Sequence, residues 1–236
     1  MACEGLRWGE NGPGLLLLHG FTASPQTLAP LGHLLGERGC RVYAPCLAGH
    51  GASAQELAGA TGDDWRRSAE LGLAKISRER PGGGVVVCGN SLGGMLAIDL
   101  AARFPVRALI CVNPAAGLRN RLAPAARYLW HVVPYLRLAP GNNLDRLPLR
   151  AVSELVRYLR LARDLAPKVM APTLVLQSAF DAKVRPEASR ELFRSLGSRE
   201  KEFEILSSHE HVPRSDAASF AERVAAFLAR VPGESA

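Results

Sequence analysis

The stretch GVVVCGNSLGG, Gly84 to Gly94, decides how this chain is read. A β-branched run, Val85 to Val87, stops at Cys88, and Gly89-Asn90-Ser91-Leu92-Gly93 follows ahead of Gly94 and a helical segment. This is G-x-S-x-G between a strand signal and a helix signal, the context in which a sharp turn lifts one serine clear of the backbone. The turn puts Ser91 in a strained conformation. Glycines are expected at 89 and 93 because a side chain there would collide with the neighbouring strand or helix. The helix that follows aims its N-terminal N–H groups at the site, where they favour developing negative charge. The five-residue pattern also arises by chance, so its flanks and the rest of the chain must decide.

Upstream, GLLLL (residues 14–18) reads as a short buried strand, followed by His19-Gly20-Phe21-Thr22 and a helix start at Ser24-Pro25. Leu28, Leu31, Leu34 and Leu35 recur at helical spacing up to Gly39, and CRVYAP (residues 40–45) is the next strand. A glycine-punctuated loop, Leu47 to Gly51, comes next. Asp63 is the expected cap of a helix through Trp65 to about Arg80, which Pro81-Gly82-Gly83-Gly84 breaks. Downstream of the serine, a helix runs to about Phe104, and RALICV (residues 107–112) is a strand ending at Asn113-Pro114. TLVLQ (173–177) and KEFEIL (201–206) are later strands, and a helix from Ser215 to about Val231 closes the chain. Near-continuous apolar strands alternating with helices predict an α/β fold, with a mostly parallel central sheet and helices on both faces.

The alternation breaks between residues 118 and 168. No strand is predicted there, only two helical blocks: Leu122 to Leu138, with a kink at Pro134, and Ala151 to Leu165. About fifty residues exceed the dozen or so of a crossover, which predicts a helical cap inserted in one domain spanning 1–236. Its apolar residues (Leu122, Leu129, Trp130, Val132, Val133, Tyr135, Leu136 and Leu138) have two readings of equal weight. Either they form an acyl-chain pocket, with Leu129, Trp130, Val133 and Leu136 as substrate contacts, or they pack the cap on the body.

A serine hydroxyl needs a base, and the base needs an orienting acid. In an open α/β sheet these follow in the order Ser, acid, His, each on a loop after a strand. The loops here supply Ser91, Asp181 and a histidine from SSHEHV (residues 207–212), either His209 or His211. Asp181 is the sole acid of SAFDAKVR; Glu187 is a weaker rival in the first turn of the next helix. The oxyanion donors are the backbone N–H of Leu92 and, from the loop after the first buried strand, that of Phe21. His19 precedes Ser91 and is read as a loop brace. His50 is also read as structural, and His33 and His131 have no visible partners.

Composition narrows the classes. Among 236 residues, 47% are hydrophobic and 22% charged, an ordinary globular balance. No apolar run reaches the roughly 20 residues of a membrane span, and the start MACEGLRWGENGPG lacks the pattern of a secretory signal. The net charge of +7 could signal nucleic acid or an anionic membrane surface, but it comes mostly from scattered arginines without interleaved aromatics, which favours a solvated surface; no nucleic acid and, without a long apolar run, no stable membrane insertion are expected. Five cysteines (Cys3, Cys40, Cys46, Cys88, Cys111) are odd in number and lack metal-ligand spacing. They predict a reducing, cytoplasmic location with no disulfide framework and no zinc.

HGFTASP (His19 to Pro25), LAGHG (Leu47 to Gly51), GNSLGG, the lone acid of FDAKV and HVPRSD (His211 to Asp216) resemble the α/β-hydrolase superfamily over nearly the whole chain. More narrowly, they resemble its small bacterial carboxylesterases and monoacylglycerol lipases. Their S-x-H-V-x-x-x-D close matches His211 to the base and puts His209 where Ser is usual. Ser178 stands where Gly commonly precedes the acid. The resemblance implies an esterase without metal or cofactor that acts on short- to medium-chain acyl esters or monoacylglycerols. Thioester, amide and carbon–carbon hydrolysis share this fold, as do non-catalytic ligand receptors. Acyl length and oligomeric state stay open.

Overall fold

The apolar runs become the strands of one seven-stranded sheet. The computed structural model describes residues 3–79, 82, 84–119, 123–138 and 144–232. In chain order the first elements are β1 (Leu6–Trp8), β2 (Gly14–Leu18), α1 (Ala29–Glu37), β3 (Arg41–Ala44), α2 (Ala54–Gly59) and α3 (Gly62–Arg78). Then come β4 (Val85–Asn90), α4 (Leu92–Arg103), β5 (Ala108–Val112), α5 (Ala126–Leu129), β6 (Tyr135–Arg137) and β7 (Arg146–Pro148). The last are α6 (Leu149–Leu165), β8 (Thr173–Ser178), α7 (Pro186–Ser195), β9 (Lys201–Leu206) and α8 (Ala217–Arg230). The sheet order is β1-β3-β2-β4-β5-β8-β9, and only the β1–β3 pairing is antiparallel.

β2, β4, β5 and β8 are buried at every residue, which is why their sequences are continuous rather than alternating. Their period of two still sorts side chains between the faces. Leu15, Leu17, Val86, Cys88, Ile110 and Leu176 pack against α1 and α8. Leu16, Leu18, Val87, Leu109, Cys111 and Val175 pack toward α3, α4 and α6, around the fully buried Trp65 and Tyr158. The cap of α3 is Thr61 rather than Asp63: its hydroxyl accepts from the Asp64 N–H while the Asp64 carboxylate accepts from the Thr61 N–H.

The excursion after β5 departs from the expectation of two helices and no strand. Its first helical block shrinks to the single turn of α5, and β6 and β7 form a hairpin with Tyr135 opposite Pro148, Leu136 opposite Leu147 and Arg137 opposite Arg146. Pro134 has no N–H for a helix and pushes Val133 out of the helical region, so the chain turns into a strand there. Leu122 lies outside the described residues. The second block exists as α6, starting at Leu149.

α6 is bound to the body by polar contacts. The Tyr158 hydroxyl donates to the buried Asp99 of α4, whose other oxygen accepts from Arg103 Nε at 2.6 Å. Glu154 accepts from the Gly62 N–H at 3.1 Å, and Arg157 reaches Asp63 at 3.4 Å. Two donors on Asp99 offset much of the cost of burying its charge.

The cysteine expectation is also corrected. Cys3 and Cys46 form a disulfide, with Cα atoms 5.9 Å apart. The cause is the antiparallel pairing of Leu6 with Ala44, which carries the segment before β1 alongside the one after β3. Cys40, Cys88 and Cys111 are free and buried. Among the described residues, no helix is long and apolar enough to cross a membrane.

Candidate active site

Ser91 stands between β4 and α4 with φ 58° and ψ −117°, a conformation rare for a side-chain-bearing residue. A Cβ at Gly89 would run into the Gly93 backbone, and one at Gly93 into the Leu18 carbonyl. The strain is held by neighbours: the Ser91 N–H donates to the Val112 carbonyl at 3.0 Å, and the Ser91 carbonyl accepts from Ala115 at 3.2 Å. The loop after β2 lies directly on the serine, since a Cβ on Gly20 would sit 3.1 Å from Ser91 Cβ. That loop offers the Phe21 N–H and α4 offers the Leu92 N–H. Among the described residues neither has a protein acceptor.

Asp181 and His211 meet across two loops, with His211 Nδ1 2.7 Å from Asp181 Oδ2. The carboxylate can only accept, so Nδ1 carries a proton, and in that tautomer of the neutral ring Nε2 has the lone pair. Asp181 Oδ1 accepts from the N–H groups of Lys183 (2.7 Å) and Val184 (3.0 Å). Burial pushes this carboxyl up, but the His211 and backbone contacts outweigh burial and hold it below its ordinary value. Arg119 Nε donates to the Asp181 carbonyl at 2.9 Å. His209 has no such partner; it is exposed and stacks on Phe180 at 4.5 Å. Glu187 stays in the first turn of α7.

The backbone of the histidine loop is gripped from below by three polar side chains. Asn90 Nδ2 donates to the His211 carbonyl at 2.8 Å, and Asn113 Nδ2 reaches the same oxygen at 3.0 Å and the Glu210 carbonyl at 3.1 Å. Ser178 Oγ donates to the Glu210 carbonyl at 2.7 Å, and the Ser178 N–H donates to Asn113 Oδ1 at 2.6 Å. These residues end β4, follow β5 and end β8, so the strand termini themselves set the height of the imidazole. Sequence reading missed this role; its one signal was polar residues closing otherwise apolar runs. On the loop's outer side, the Glu210 carboxylate accepts from the N–H groups of Arg214 (2.8 Å) and Ser215 (3.1 Å). Burial raises its pKa, but the Arg214 N–H, the neighbouring Asp216 carboxyl and the Ser215 hydroxyl outweigh burial and bring it down to about 2.

His19 braces the neighbouring loop, as expected. Its Nδ1–H donates to the Gly20 carbonyl at 2.9 Å, and its Nε2 accepts from the Leu47 N–H at 3.1 Å. His50 packs edge-on against His19, Phe21 and Trp65.

Ser91 and His211 line one cavity of about 380 Å³ together with Gly20, Phe21, Thr22 and Thr27. Its apolar wall comes from the excursion: Leu118, Ala123, Leu138, Leu147, Val152 and Leu155. The four expected substrate contacts are not in that wall. Leu129 and Val133 are exposed, and Trp130 faces a separate recess beside Pro134 and Tyr135. Leu136 shares a hairpin face with Leu138 but stands outside the cavity, 45% exposed. The reason is the missing helix: from the hairpin it is Leu138 and Leu147 that reach the cavity, while Leu136, on the same face, lies beyond its edge.

The model of the family described as "Alpha/beta hydrolase family" matches residues 15–232. A thermostable monoacylglycerol lipase of Bacillus sp. (strain H-257) is 28% identical over 219 residues, covering 89% of this chain and 87% of the lipase. A carboxylesterase of Bacillus subtilis (strain 168) is 22% identical over 207 residues, covering 84% of each. Among solved structures, one described with LipS and LipT, two metagenome-derived lipolytic enzymes, aligns with a TM-score of 0.88 at 27% identity, covering 97% of this chain and 98% of that one.

Proposed function

Because the chain belongs to the alpha/beta hydrolase family, we propose that it is a carboxylic-ester hydrolase of the esterase and monoacylglycerol lipase type, acting through Ser91, Asp181 and His211. The observation that carries the reading is the His211–Asp181 contact at 2.7 Å, on a cavity that His211 shares with a strained Ser91. His211 Nε2 takes the Ser91 proton as Oγ attacks the ester carbonyl, while Asp181 stabilises the imidazolium. The Phe21 and Leu92 N–H groups receive the oxyanion, a contribution on the order of 2.7–4 kcal/mol per donor in comparable sites. The alcohol departs with the proton from His211, and water repeats the cycle on the acyl-enzyme, releasing the acid. The apolar wall from Leu118 to Leu155 suits a short to medium acyl chain, as a glycerol or simple alkyl ester. The excursion is a cap within a single domain.

The test is hydrolysis of p-nitrophenyl esters from acetate to palmitate by wild type and Ser91→Ala. Turnover that disappears in the variant supports the reading; retained turnover removes Ser91 as nucleophile. If wild type cleaves only thioesters or amides, the fold's other acyl chemistry takes the place of esterase action. A cytoplasmic location is the finer part of the reading, and it requires Cys3 and Cys46 to be reduced in the cell. Alkylation of freshly extracted, denatured protein decides this, counting five thiols if reduced and three if bonded.

A further inference from the structure

The charge at the Ser91 cavity has one sign. Among the described residues that line it, the formally charged ones are Lys183 and Arg214, and no carboxylate joins them. Both are exposed, and neither side chain has an ion pair or hydrogen bond among the described residues. The acids of their two loops are engaged elsewhere. Asp181 accepts from His211 through one oxygen and from the Lys183 and Val184 N–H groups through the other. Glu210 accepts from the Arg214 and Ser215 N–H groups and from the Ser215 hydroxyl at 2.9 Å, and the Asp216 carboxyl lies against Glu210 and Ser208. The excursion supplies no counter-charge either. Its acids are Asp145, 3.6 Å from Arg146, and Glu154, held by Arg157 and the Gly62 N–H. A cleft lined by cations alone draws in anions, and a wholly neutral ester would leave that field unused.

The chain positions of the two cations say which half of an ester they meet. Lys183 follows Asp181 in its loop, and Arg214 follows His211 in the next, so both belong to the acid–base side of the site. The apolar wall comes from another part of the chain, the excursion after β5. The leaving alcohol takes its proton from His211, which sets the alcohol part beside these two loops and the acyl chain against the apolar wall. We propose that Lys183 and Arg214 select esters whose alcohol part carries an anionic group, a phosphate or a carboxylate, over neutral esters of the same acyl chain. A guanidinium offers such a group a fork of N–H donors, and the lysine adds a point charge. This rests on the hydrolase reading and deepens it: glycerol and alkyl esters enter the same cavity, and an acidic alcohol enters it better.

The experiment uses the full-length protein and a matched set of butyrate esters, of glycerol, glycerate, glycerol 3-phosphate and choline, with butyrate release measured by chromatography. Wild type should show a higher kcat/KM on the two acidic esters than on the glycerol ester. The gain should lie in KM, because a charge remote from the reacting bond is held equally in the ground and transition states. It should shrink as salt is added. Lys183→Met and Arg214→Met should each lower the acidic-to-neutral ratio about two- to fivefold, and the double variant about tenfold, as for exposed ion pairs. Lys183→Met keeps the backbone N–H that Asp181 accepts, and any loss common to all the esters cancels in the ratio. Arg214→Glu should turn the preference toward the choline ester. Arg199→Met removes an exposed cation just before β9, at the end of the sheet away from Ser91, and should leave the ratio unchanged. A preference for the phosphate ester alone narrows the group to phosphate, and one shared with glycerate keeps the wider anion class. No preference in wild type, a ratio that survives in the double variant, or an equal fall in Arg199→Met would overturn the proposal while the hydrolase reading stands. If wild type cleaves no ester at all, the hydrolase reading fails and this specificity fails with it.

Discussion

Acid should destabilise this protein through two imidazoles that the fold keeps neutral. Burial, and for His19 also the neighbouring His50, lowers the pKa of His19 to about 3, and burial lowers that of His50 to about 4, both from 6.5. The geometry agrees, because a proton on His19 Nε2 would face the Leu47 N–H with a second donor. Above pH 6.5 neither state binds the proton, and these groups contribute no pH dependence. Below it the unfolded chain takes up protons that the folded one refuses, so stability falls as pH falls, until the folded values are approached. Each histidine costs about 1.4 kcal/mol per pH unit, hence about 2 kcal/mol at about pH 5 and about 4 kcal/mol for the pair. That is a large part of an ordinary domain's 5–15 kcal/mol, roughly. The assay is urea unfolding at steps from about pH 7.5 to about pH 5, for wild type and His50→Phe. The variant starts less stable, having lost the bond from Nδ1 to the Ala48 carbonyl, but its loss over the range should be about 2 kcal/mol smaller. Parallel stability curves for the two proteins would refute the argument.

Reducing the Cys3–Cys46 bond frees a loop of 43 residues' separation, and Cys3→Ser should cost about 3–4 kcal/mol in unfolding experiments without reductant. Gly93→Ala drives a methyl into the Leu18 carbonyl, where only backbone could give way; it should cost more than about 4 kcal/mol and show as lost soluble yield. Asn113→Ala removes the Nδ2 donor shared by the Glu210 and His211 carbonyls. It should lower kcat by roughly 10- to 100-fold with KM little changed, and Asn113→Ser should be no better than Ala, its shorter side chain lacking the reach. Tyr158→Phe deprives buried Asp99 of a donor and should cost about 1–3 kcal/mol by thermal or urea melts, with ester specificity unchanged.

The sheet was legible because four strands are buried on both faces, so each appears as an unbroken apolar run of the right length. The elbow was legible because two glycines flank one serine at a strand-to-helix boundary, and backbone collisions at Gly89 and Gly93 enforce that choice. Asp181 stood out as the one acid of its loop. The choice between His209 and His211 rested on resemblance, since only the spatial position of a carboxylate separates them. The hairpin was hidden for a physical reason: β6 and β7 are three residues each, too short for alternation to outweigh the helical spacing of the leucines and valines around them. The disulfide was hidden because its halves meet only through the pairing of an edge strand. The Asn90, Asn113 and Ser178 grip belongs to three separate strand ends, which no local window joins.

The way α6 is fastened divides the molecule unequally for anyone wishing to re-engineer it. Tyr158, Glu154 and Arg157 tie this helix to α3 and α4, so it behaves as foundation rather than as cover. The exchangeable portion is the stretch after Arg119, whose side chain holds the Asp181 loop, as far as residue 148; its two ends enter the body at the Leu118–Val184 bridge and at the start of α6. A graft cut at those two points would bring a new wall to the cavity and a new outward face, while leaving the loops that hold Ser91, Asp181 and His211 untouched. Cutting instead at the end of β5 and the start of β8 would remove the Tyr158 donor and leave the buried Asp99 carboxylate with Arg103 alone.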